Sequence, residues 1–274
     1  ARLETFRQSG ESLAGRYFHL RLHPLSVKEL TDTMAPGEAL DAINRLGAFP
    51  EPFLSRSEEE AARWRSQYFT DLVREDIFEL GRLHEVRSMR LLLEMLRSRV
   101  GSPLSYTSLA EDIQVAPNTV KRYVGILEAL YVIFLVRPFH RLIARSILKE
   151  PKAYFYDSGF VKGDAGSRFE NICAQALLKH AHYLHDVKGK EVELNYLRTK
   201  EGREVDFALT EGGRVSVLVE AKTSGPEPSP SLVYFKERID GINAVQLVWK
   251  LRKETHRRGV DIVRAAEWLS RLEA

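Results

Sequence analysis

Cysteine is almost absent from this sequence, and long apolar stretches are missing altogether. One of the 274 residues is a cysteine, Cys173, so no disulfide can form within the chain. This favours a reducing, cytoplasmic setting. No apolar run approaches the roughly 20 residues that a membrane-spanning helix needs, so no membrane partner is expected. Residues 1–6 lack the apolar core of a signal peptide, and no initiator Met is present. We therefore expect a piece of a longer protein.

The sequence also lacks a loop for binding nucleotide phosphates. No Gly-x-x-x-x-Gly-Lys-[Ser/Thr] segment occurs, and Gly189-Lys190 lacks the upstream glycine. Such a loop cradles the phosphates of ATP with its backbone amides. We therefore expect no ATP hydrolysis from this chain alone, and ATP binding only in an intact longer protein.

Charge and composition set broad limits on the class of protein. Hydrophobic residues make up 44% and charged residues 29%, which is typical of globular domains, and the length predicts two or three units. The net charge is +3, but residues 81–150 alone carry 11 Lys and Arg against 6 Asp and Glu. This segment favours an anionic partner such as nucleic acid. An ordinary solvated surface explains it equally well.

The first 140 residues read as two helical units. In residues 1–80, Ser26 and Glu29 have the spacing of a helix N-terminal capping box, and a further helix is predicted over 58–80. Residues 81–140 then give a helix, a short helix, a turn, a helix and a strand, which is the order of a winged helix-turn-helix. Its recognition helix would carry three residues that could contact double-stranded DNA. They are Thr119, Lys121 and Arg122. The alternative is that this unit packs against a neighbouring domain.

Residues 152–274 read as an α/β domain. Period-two alternation predicts strands over 191–197, 204–209, 215–221 and 244–249, and a helix is predicted over 169–181. The whole chain is therefore predicted to be a multidomain α+β protein.

Residues 200–222 are predicted to form a β-hairpin with an acidic site. If Asp206 faces Glu220, then Phe207 pairs with Val219, and the apolar side chains of the two strands share one face. That register needs a loop of odd length near Gly213. A two-residue Gly212-Gly213 turn would instead place Asp206 opposite Val219.

The favoured register places Asp206, Glu220 and Lys222 on one face. Two facing carboxylates repel each other unless a cation lies between them, and Mg²⁺ or Mn²⁺ is the oxygen-seeking choice. Such an ion activates water and stabilises charge on a phosphate, so the pattern predicts phosphodiester hydrolysis, with Lys222 orienting the water or neutralising charge. The alternative is an exposed hairpin with a simple salt bridge.

Several segments together resemble one prokaryotic group, the AAA+-type ATPases that carry a DUF4143 domain. The hairpin segments 203–207 and 219–222 resemble its C-terminal domain, and Gly47-Ala48-Phe49-Pro50 resembles its GGFP loop. Residues 154–159 and 166–171 resemble a strand, turn and first helix of that domain. Residues 13–16 and 22–26 resemble the end of its ATPase core. The similarity covers nearly the whole chain.

The resemblance implies a PD-(D/E)xK, restriction-endonuclease-like fold for residues 141–274, following a helical remnant of the ATPase core (1–80) and the winged helix (81–140). It adds Glu170 as a third acidic metal ligand, beside Asp206 and Glu220. It also implies that Arg16 senses nucleotide in the intact protein.

Three hypotheses about function follow from these features. One is a DNA-associated module with a Mg²⁺- or Mn²⁺-dependent endonuclease. A second is an inactive nuclease fold that serves protein interaction or self-association. In the third, activity resides in an ATPase core absent from this chain.

Overall fold

A computed structural model describes residue 18 and residues 20–72, 83–139 and 150–274. Its helices are α1 (Val27–Leu30), α2 (Pro36–Leu46), α3 (Pro50–Leu54), α4 (Glu58–Asp71), α5 (Leu83–Ser98), α6 (Tyr106–Ile113), α7 (Pro117–Ala129), α8 (Ala165–Lys188), α9 (Pro230–Lys236) and α10 (Ala265–Leu269). Its strands are β1 (Ile133–Pro138), β2 (Lys152–Phe155), β3 (Val192–Arg198), β4 (Glu204–Glu211), β5 (Arg214–Ser224), β6 (Asn243–Lys250), β7 (Thr255–Arg257) and β8 (Val260–Arg264). A 3₁₀ turn spans Ser158–Phe160.

The capping box predicted at the start of α1 is confirmed. The amide of Ser26 donates to Glu29 Oε2 at 2.9 Å, and the amide of Glu29 donates to Ser26 Oγ at 3.4 Å. These bonds satisfy amides that the first helical turn leaves without a partner. The predicted helix over 58–80 is seen as α4 up to Asp71, and its predicted continuation lies outside the described residues.

The order predicted for residues 81–140 is present. Helix α5 is followed by α6, a turn and α7, and then by β1. Gln114 ends α6 in the left-handed conformation, and Pro117 opens α7 with a fixed φ, so the chain turns sharply between the two helices. Strand β1 pairs with β2 in antiparallel register, from Ile133↔Phe155 to Val136↔Lys152. Whether this unit acts as a winged helix stays a prediction.

One mixed sheet of eight strands organises the rest of the chain. Its order is β2-β1-β3-β4-β5-β6-β8-β7. Strand β5 lies inside the sheet, antiparallel to β4 and parallel to β6. The period-two pattern predicted β3 to β6 to within a few residues. The short, largely exposed β7 has no apolar alternation and was not predicted.

Both faces of the sheet are covered. On one face, Phe207 and Val219 join a hydrophobic core that continues through α8 and the helices before residue 130. On the other face, Ala208 and Leu218 join a smaller core closed by α9. Cys173 is fully buried in the larger core. Because the larger core runs from Val27 to Leu272, the helical layer and the sheet are packed together.

Helix α8 holds the N-terminal segment through side chains to which sequence analysis assigned no role. Arg168 donates to the carbonyl of Asn44 at 3.3 Å, and Gln175 donates to the carbonyl of Leu25 at 3.4 Å. Lys179 donates to the carbonyl of Pro24 and also binds Glu29. These residues recur at helical spacing, so one face of α8 is a docking surface for residues 24–44.

The architecture confirms the predicted α+β class. Among the described residues, no helix combines the length and apolar character needed to cross a membrane. The boundaries placed at residues 80 and 140 stay predictions.

Candidate active site

The β4–β5 hairpin has the predicted register but a different turn. Phe207 pairs with Val219 and Leu209 with Val217, as predicted. The predicted odd-length loop is wrong, because Glu211 pairs with Arg214 across a two-residue Gly212-Gly213 turn. Both glycines have positive φ, of 55° and 74°, which this tight turn requires.

A bulge at Ser216 reconciles the short turn with the register. Thr210 pairs with Val215 and Leu209 with Val217, so Ser216 is an extra residue on β5. Its hydroxyl donates to the carbonyl of Leu209 at 3.0 Å, which fixes the bulge. Continuing the register beyond Phe207↔Val219 brings Asp206 to Glu220. The bulge therefore undoes the separation of the carboxylates that a two-residue turn would otherwise cause.

A second irregularity sets the direction of Asp206. Between the β3–β4 pairs Asn195↔Ala208 and Leu197↔Val205, β3 has one residue and β4 has two, Asp206 and Phe207. Val205 faces the smaller core and Phe207 the larger one. The extra residue turns Asp206 toward α8, where its strongest carboxylate neighbour is Glu170. Bulges of this kind re-aim side chains beside functional sites.

Backbone amides and Lys222 hold the two hairpin carboxylates. The amide of Ala221 donates to Asp206 Oδ2 at 2.9 Å, and the amide of Asp206 lies 3.4 Å from Glu220 Oε2. Glu220 is buried, with 4% of its surface exposed. Lys222 Nζ lies 2.9 Å from Glu220 Oε1, while its side chain stays 45% exposed. The lysine therefore bridges the buried carboxylate and the solvent.

Glu170, in the first half of α8, belongs to the same cluster. The hydroxyl of Tyr154 donates to Glu170 Oε1 at 2.7 Å. Burial raises the pKa of Tyr154 well above its usual range, so this phenol keeps its proton and remains a donor. On the other side, a Cβ placed on Gly101 would lie 2.5 Å from Glu170 Oε1. The loop after α5 thus forms one wall of the site.

Lys152 and Glu204 complete the cluster, and sequence analysis assigned neither to it. Lys152 Nζ lies 2.6 Å from Glu204 Oε1 and 3.7 Å from Glu170 Oε1. Burial opposes the charge of Lys152, but its pKa is raised because three carboxylates surround it. The signal available in the sequence was a lysine within an apolar strand, two residues before Tyr154 and therefore on the same face.

Burial, with repulsion from neighbouring carboxylates, raises the pKa of two acids in the cluster. Burial, together with the charges of Glu170 and Glu220, raises the pKa of Asp206 well above its usual range. Burial also raises the pKa of Glu170, although the ammonium of Lys152 acts in the opposite direction. When these groups ionise, burial opposes the charge most, and the neighbouring carboxylates add repulsion. A cation beside Asp206 would relieve it.

The carboxylates of the site suit a Mg²⁺ or Mn²⁺ ion that takes only two of its ligands from the protein. Within the described ranges, no group of three or more His, Cys, Asp or Glu side chains converges to hold a metal ion. Mg²⁺ commonly binds through one or two carboxylates, with water and substrate phosphates filling its other positions. The chemistry of Asp206 and Glu220 fits that mode.

The remaining predicted residues lie elsewhere. Lys121 and Arg122 are exposed on α7, and Thr119 is partly buried near the start of that helix. The predicted nucleotide-sensing Arg16 lies outside the described residues. The structure thus brings together the four residues predicted for the carboxylate site and places the predicted DNA contacts on a separate element.

Basic side chains surround the end of the sheet that carries the site. The β3–β4 turn and the ends of β5 and β6 meet at this edge, because Arg198 pairs with Glu204 and Ser224 pairs with Lys250. Residues 198–204 and 250–254 together carry six Lys or Arg against three Glu. The exposed cations of this basic rim are Arg198, Lys200, Arg203, Lys250, Arg252 and Lys253.

Comparison with known families divides the chain near the start of α8. Residues 38–165 match a domain of unknown function, DUF8612, and residues 165–268 match another, DUF4143. No solved structure gives a significant match.

The curated relatives are uncharacterized proteins. One from Mycobacterium tuberculosis and one from Mycobacterium bovis are each 28% identical over 235 residues, which is 82% of this chain and 51% of theirs. One from Haemophilus influenzae is 22% identical over 280 residues, covering 94% of this chain and 66% of its own length. The chain spans about half the length of the two mycobacterial relatives. The DUF4143 part of the resemblance is thus confirmed over residues 165–268, and the ATPase part stays a prediction.

Proposed function

We propose that this chain is the DNA-associated part of a prokaryotic AAA+-type ATPase, and that its DUF4143 domain has a PD-(D/E)xK-like site that hydrolyses phosphodiesters with Mg²⁺ or Mn²⁺. The observation that carries the proposal is the convergence of Asp206, Glu220 and Lys222 on adjacent strands, with Glu170 beside them on α8. Two carboxylates that can hold a divalent ion, with a lysine beside them, suit metal-dependent hydrolysis of a phosphate diester.

Each side chain has a role that its position supports. Asp206 and Glu220 would hold the ion, which when bound lowers the pKa of a water ligand and neutralises charge on the phosphate. Lys222, partly exposed and anchored by Glu220, would place a positive charge beside the substrate and stabilise a phosphate oxygen. The amide of Ala221 fixes Asp206, so the carboxylate needs little rearrangement before the reaction.

Two separate basic surfaces support DNA as the substrate. The basic rim lies at the same edge of the sheet as Lys222, where it would hold the phosphates that flank the reacting one. Helix α7 presents Lys121 and Arg122 to solvent and follows a sharp turn after α6, as the second helix of a helix-turn-helix does. We therefore propose double-stranded DNA rather than a small phosphodiester.

Cleavage of DNA by the full chain tests this proposal. Plasmid and short duplexes are incubated with Mn²⁺, beside Asp206→Ala and, as a control, Asp240→Ala in an exposed loop. We expect nicking by the wild type and the control and at least a 100-fold loss for Asp206→Ala. Equal rates for the wild type and Asp206→Ala contradict the catalytic proposal.

A second candidate is an inactive nuclease fold that associates with itself or with another protein. Three apolar side chains before α1 favour it, because they are strongly exposed: Phe18 (91%), Leu20 (63%) and Leu22 (100%). Exposed apolar patches commonly mark interaction sites. If this candidate holds, Leu22→Ser lowers the mass measured by light scattering, and Asp206→Ala has no effect on any activity.

A further inference from the structure

A lysine lies inside the acidic cluster, where sequence reasoning expected a metal ion. Lys152 is the first residue of β2, and 1% of its surface is exposed. Besides its contacts with Glu204 and Glu170, its ammonium lies 5.2 Å from the centre of the Tyr196 ring. A lysine is rarely buried to this extent unless acids compensate its charge.

The backbone around Lys152 is fixed on both sides. Lys152 pairs with Val136 on β1 and forms an isolated bridge with Pro103. The amide of Leu104 donates to the carbonyl of Pro151 at 2.8 Å, and the hydroxyl of Tyr196 donates to the carbonyl of Glu150 at 2.7 Å. The backbone of Lys152 is therefore held beside the cluster, and its ammonium reaches Glu204 and Glu170 from this fixed position.

Lysine and arginine side chains of the chain itself already form ion pairs with most acids of the cluster. Glu204 binds Lys152 through Oε1 and Arg198 through Oε2, the latter at 3.2 Å. Glu170 Oε1 receives the hydroxyl of Tyr154 and lies near Lys152. Glu220 binds Lys222 through Oε1. Asp206 accepts a hydrogen bond from the amide of Ala221, and among the described residues no cation lies within ion-pair distance of it.

We propose that Lys152 is an internal counter-cation that keeps Glu170 and Glu204 out of metal coordination, so that the site takes one divalent ion, at Asp206 and Glu220. This rests on the proposed function, because it concerns the metal of the same site. It assigns Glu170 a place beside the ion rather than on it, in contrast to the role that the resemblance implied.

Electrostatics predicts the direction in which replacement of Lys152 changes the affinity for metal. Methionine retains an unbranched side chain of similar length but removes the positive charge. Glu170 and Glu204 then lose the cation they share, and a divalent ion entering the cluster meets more uncompensated negative charge. Lys152→Arg keeps the charge. A variant that folds poorly would bind metal more weakly, so impaired folding could not produce the expected gain in affinity.

The test is a titration of the full chain with Mn²⁺, in which the electron paramagnetic resonance signal of free Mn²⁺ gives affinity and stoichiometry. We expect one ion for the wild type and for Lys152→Arg. For Lys152→Met we expect a second ion or at least tenfold tighter binding. Circular dichroism confirms that each variant is folded.

Three results overturn the inference: two ions bound by the wild type, a folded Lys152→Met that neither binds a second ion nor binds Mn²⁺ more tightly than the wild type, or no Mn²⁺ binding by any variant. If Lys152→Met does not fold, the number of ions bound by the wild type still tests the inference. If only the proposed function fails, Lys152→Met still gains affinity for Mn²⁺, while the wild type cleaves no DNA.

Discussion

The backbone amide of Ala221 donates to Oδ2 of Asp206 at 2.9 Å. Ala221 lies between Glu220 and Lys222, so this bond joins the backbone of β5 to the carboxyl group of Asp206 on β4. An asparagine at 206 could keep an oxygen in the same place, so the bond survives loss of the charge. The contact therefore separates the structural role of Asp206 from its electrostatic one.

Asp206→Asn should stabilise the fold at neutral and alkaline pH. The folded pKa of Asp206 is raised above its unfolded value of about 3.9. Its contribution to stability is then fully present below pH ~4 and is lost as the pH rises through the folded pKa. Asparagine does not titrate and avoids this loss. We expect the variant to exceed the wild type by about 1 kcal/mol or more at pH 8.

Urea unfolding at pH 4, 6 and 8 measures this difference. The advantage of Asp206→Asn should grow with pH, and Asp240→Asn, in an exposed loop, should show no such trend. A variant less stable than the wild type at pH 8 would mean that the ionised carboxylate stabilises the fold.

Gly101→Ala should displace Glu170, and Gly202→Ala provides a matched control. Both glycines have positive φ, of 76° and 86°, so each alanine carries a backbone strain of about 1 kcal/mol. The new Cβ would lie 2.5 Å from Glu170 Oε1 at position 101, but would meet nothing within 4 Å at position 202. The Glu170 side chain can move, at the cost of its bond to Tyr154.

The two glycine variants should therefore differ in activity rather than in stability. We expect their free energies of unfolding to agree within about 1 kcal/mol. Mn²⁺-dependent cleavage should fall at least tenfold for Gly101→Ala alone. Equal cleavage rates would show that the position of Glu170 is unimportant to the site.

How much of the site could be predicted is clearest at the hairpin. The apolar alternation around Phe207 and Val219 fixed the pairing, because a slip by one residue would expose an apolar row. The pattern could not show that Gly212-Gly213 forms the whole turn, since an extra residue can be accommodated either in the loop or as a bulge. The bulge at Ser216 becomes visible only in the hydrogen bonding.

Lys152 illustrates a different limit. Local sequence shows a lysine in a short apolar strand, and its burial depends on acids that lie far along the chain. Glu204 follows it by 52 positions, and Arg198, which holds the other oxygen of Glu204, lies on β3. Sequence separation of this size hides the contact. Glu170 was expected near Asp206 only because the family resemblance implied it.

Lys121→Ala should weaken binding to duplex DNA in a salt-dependent way. A lysine that contacts one phosphate releases about one counterion, so its loss should reduce the slope of log affinity against log salt by about 1. Lys28→Ala is the matched control, because Lys28 is an exposed lysine on α1. Fluorescence anisotropy over a salt series measures both slopes. Identical slopes for the two variants would argue against α7 as a DNA contact.

The most direct test of the central claim compares two glutamates of the same hairpin. Glu220 is buried beside Asp206, and Glu211 is exposed next to the turn. Both are changed to glutamine, and the rate of plasmid nicking is measured in Mn²⁺ and in EDTA. We predict nicking that requires Mn²⁺, is unchanged in Glu211→Gln and is reduced at least 100-fold in Glu220→Gln. Nicking that persists in EDTA, or that survives in Glu220→Gln, would contradict a metal-dependent site at these carboxylates.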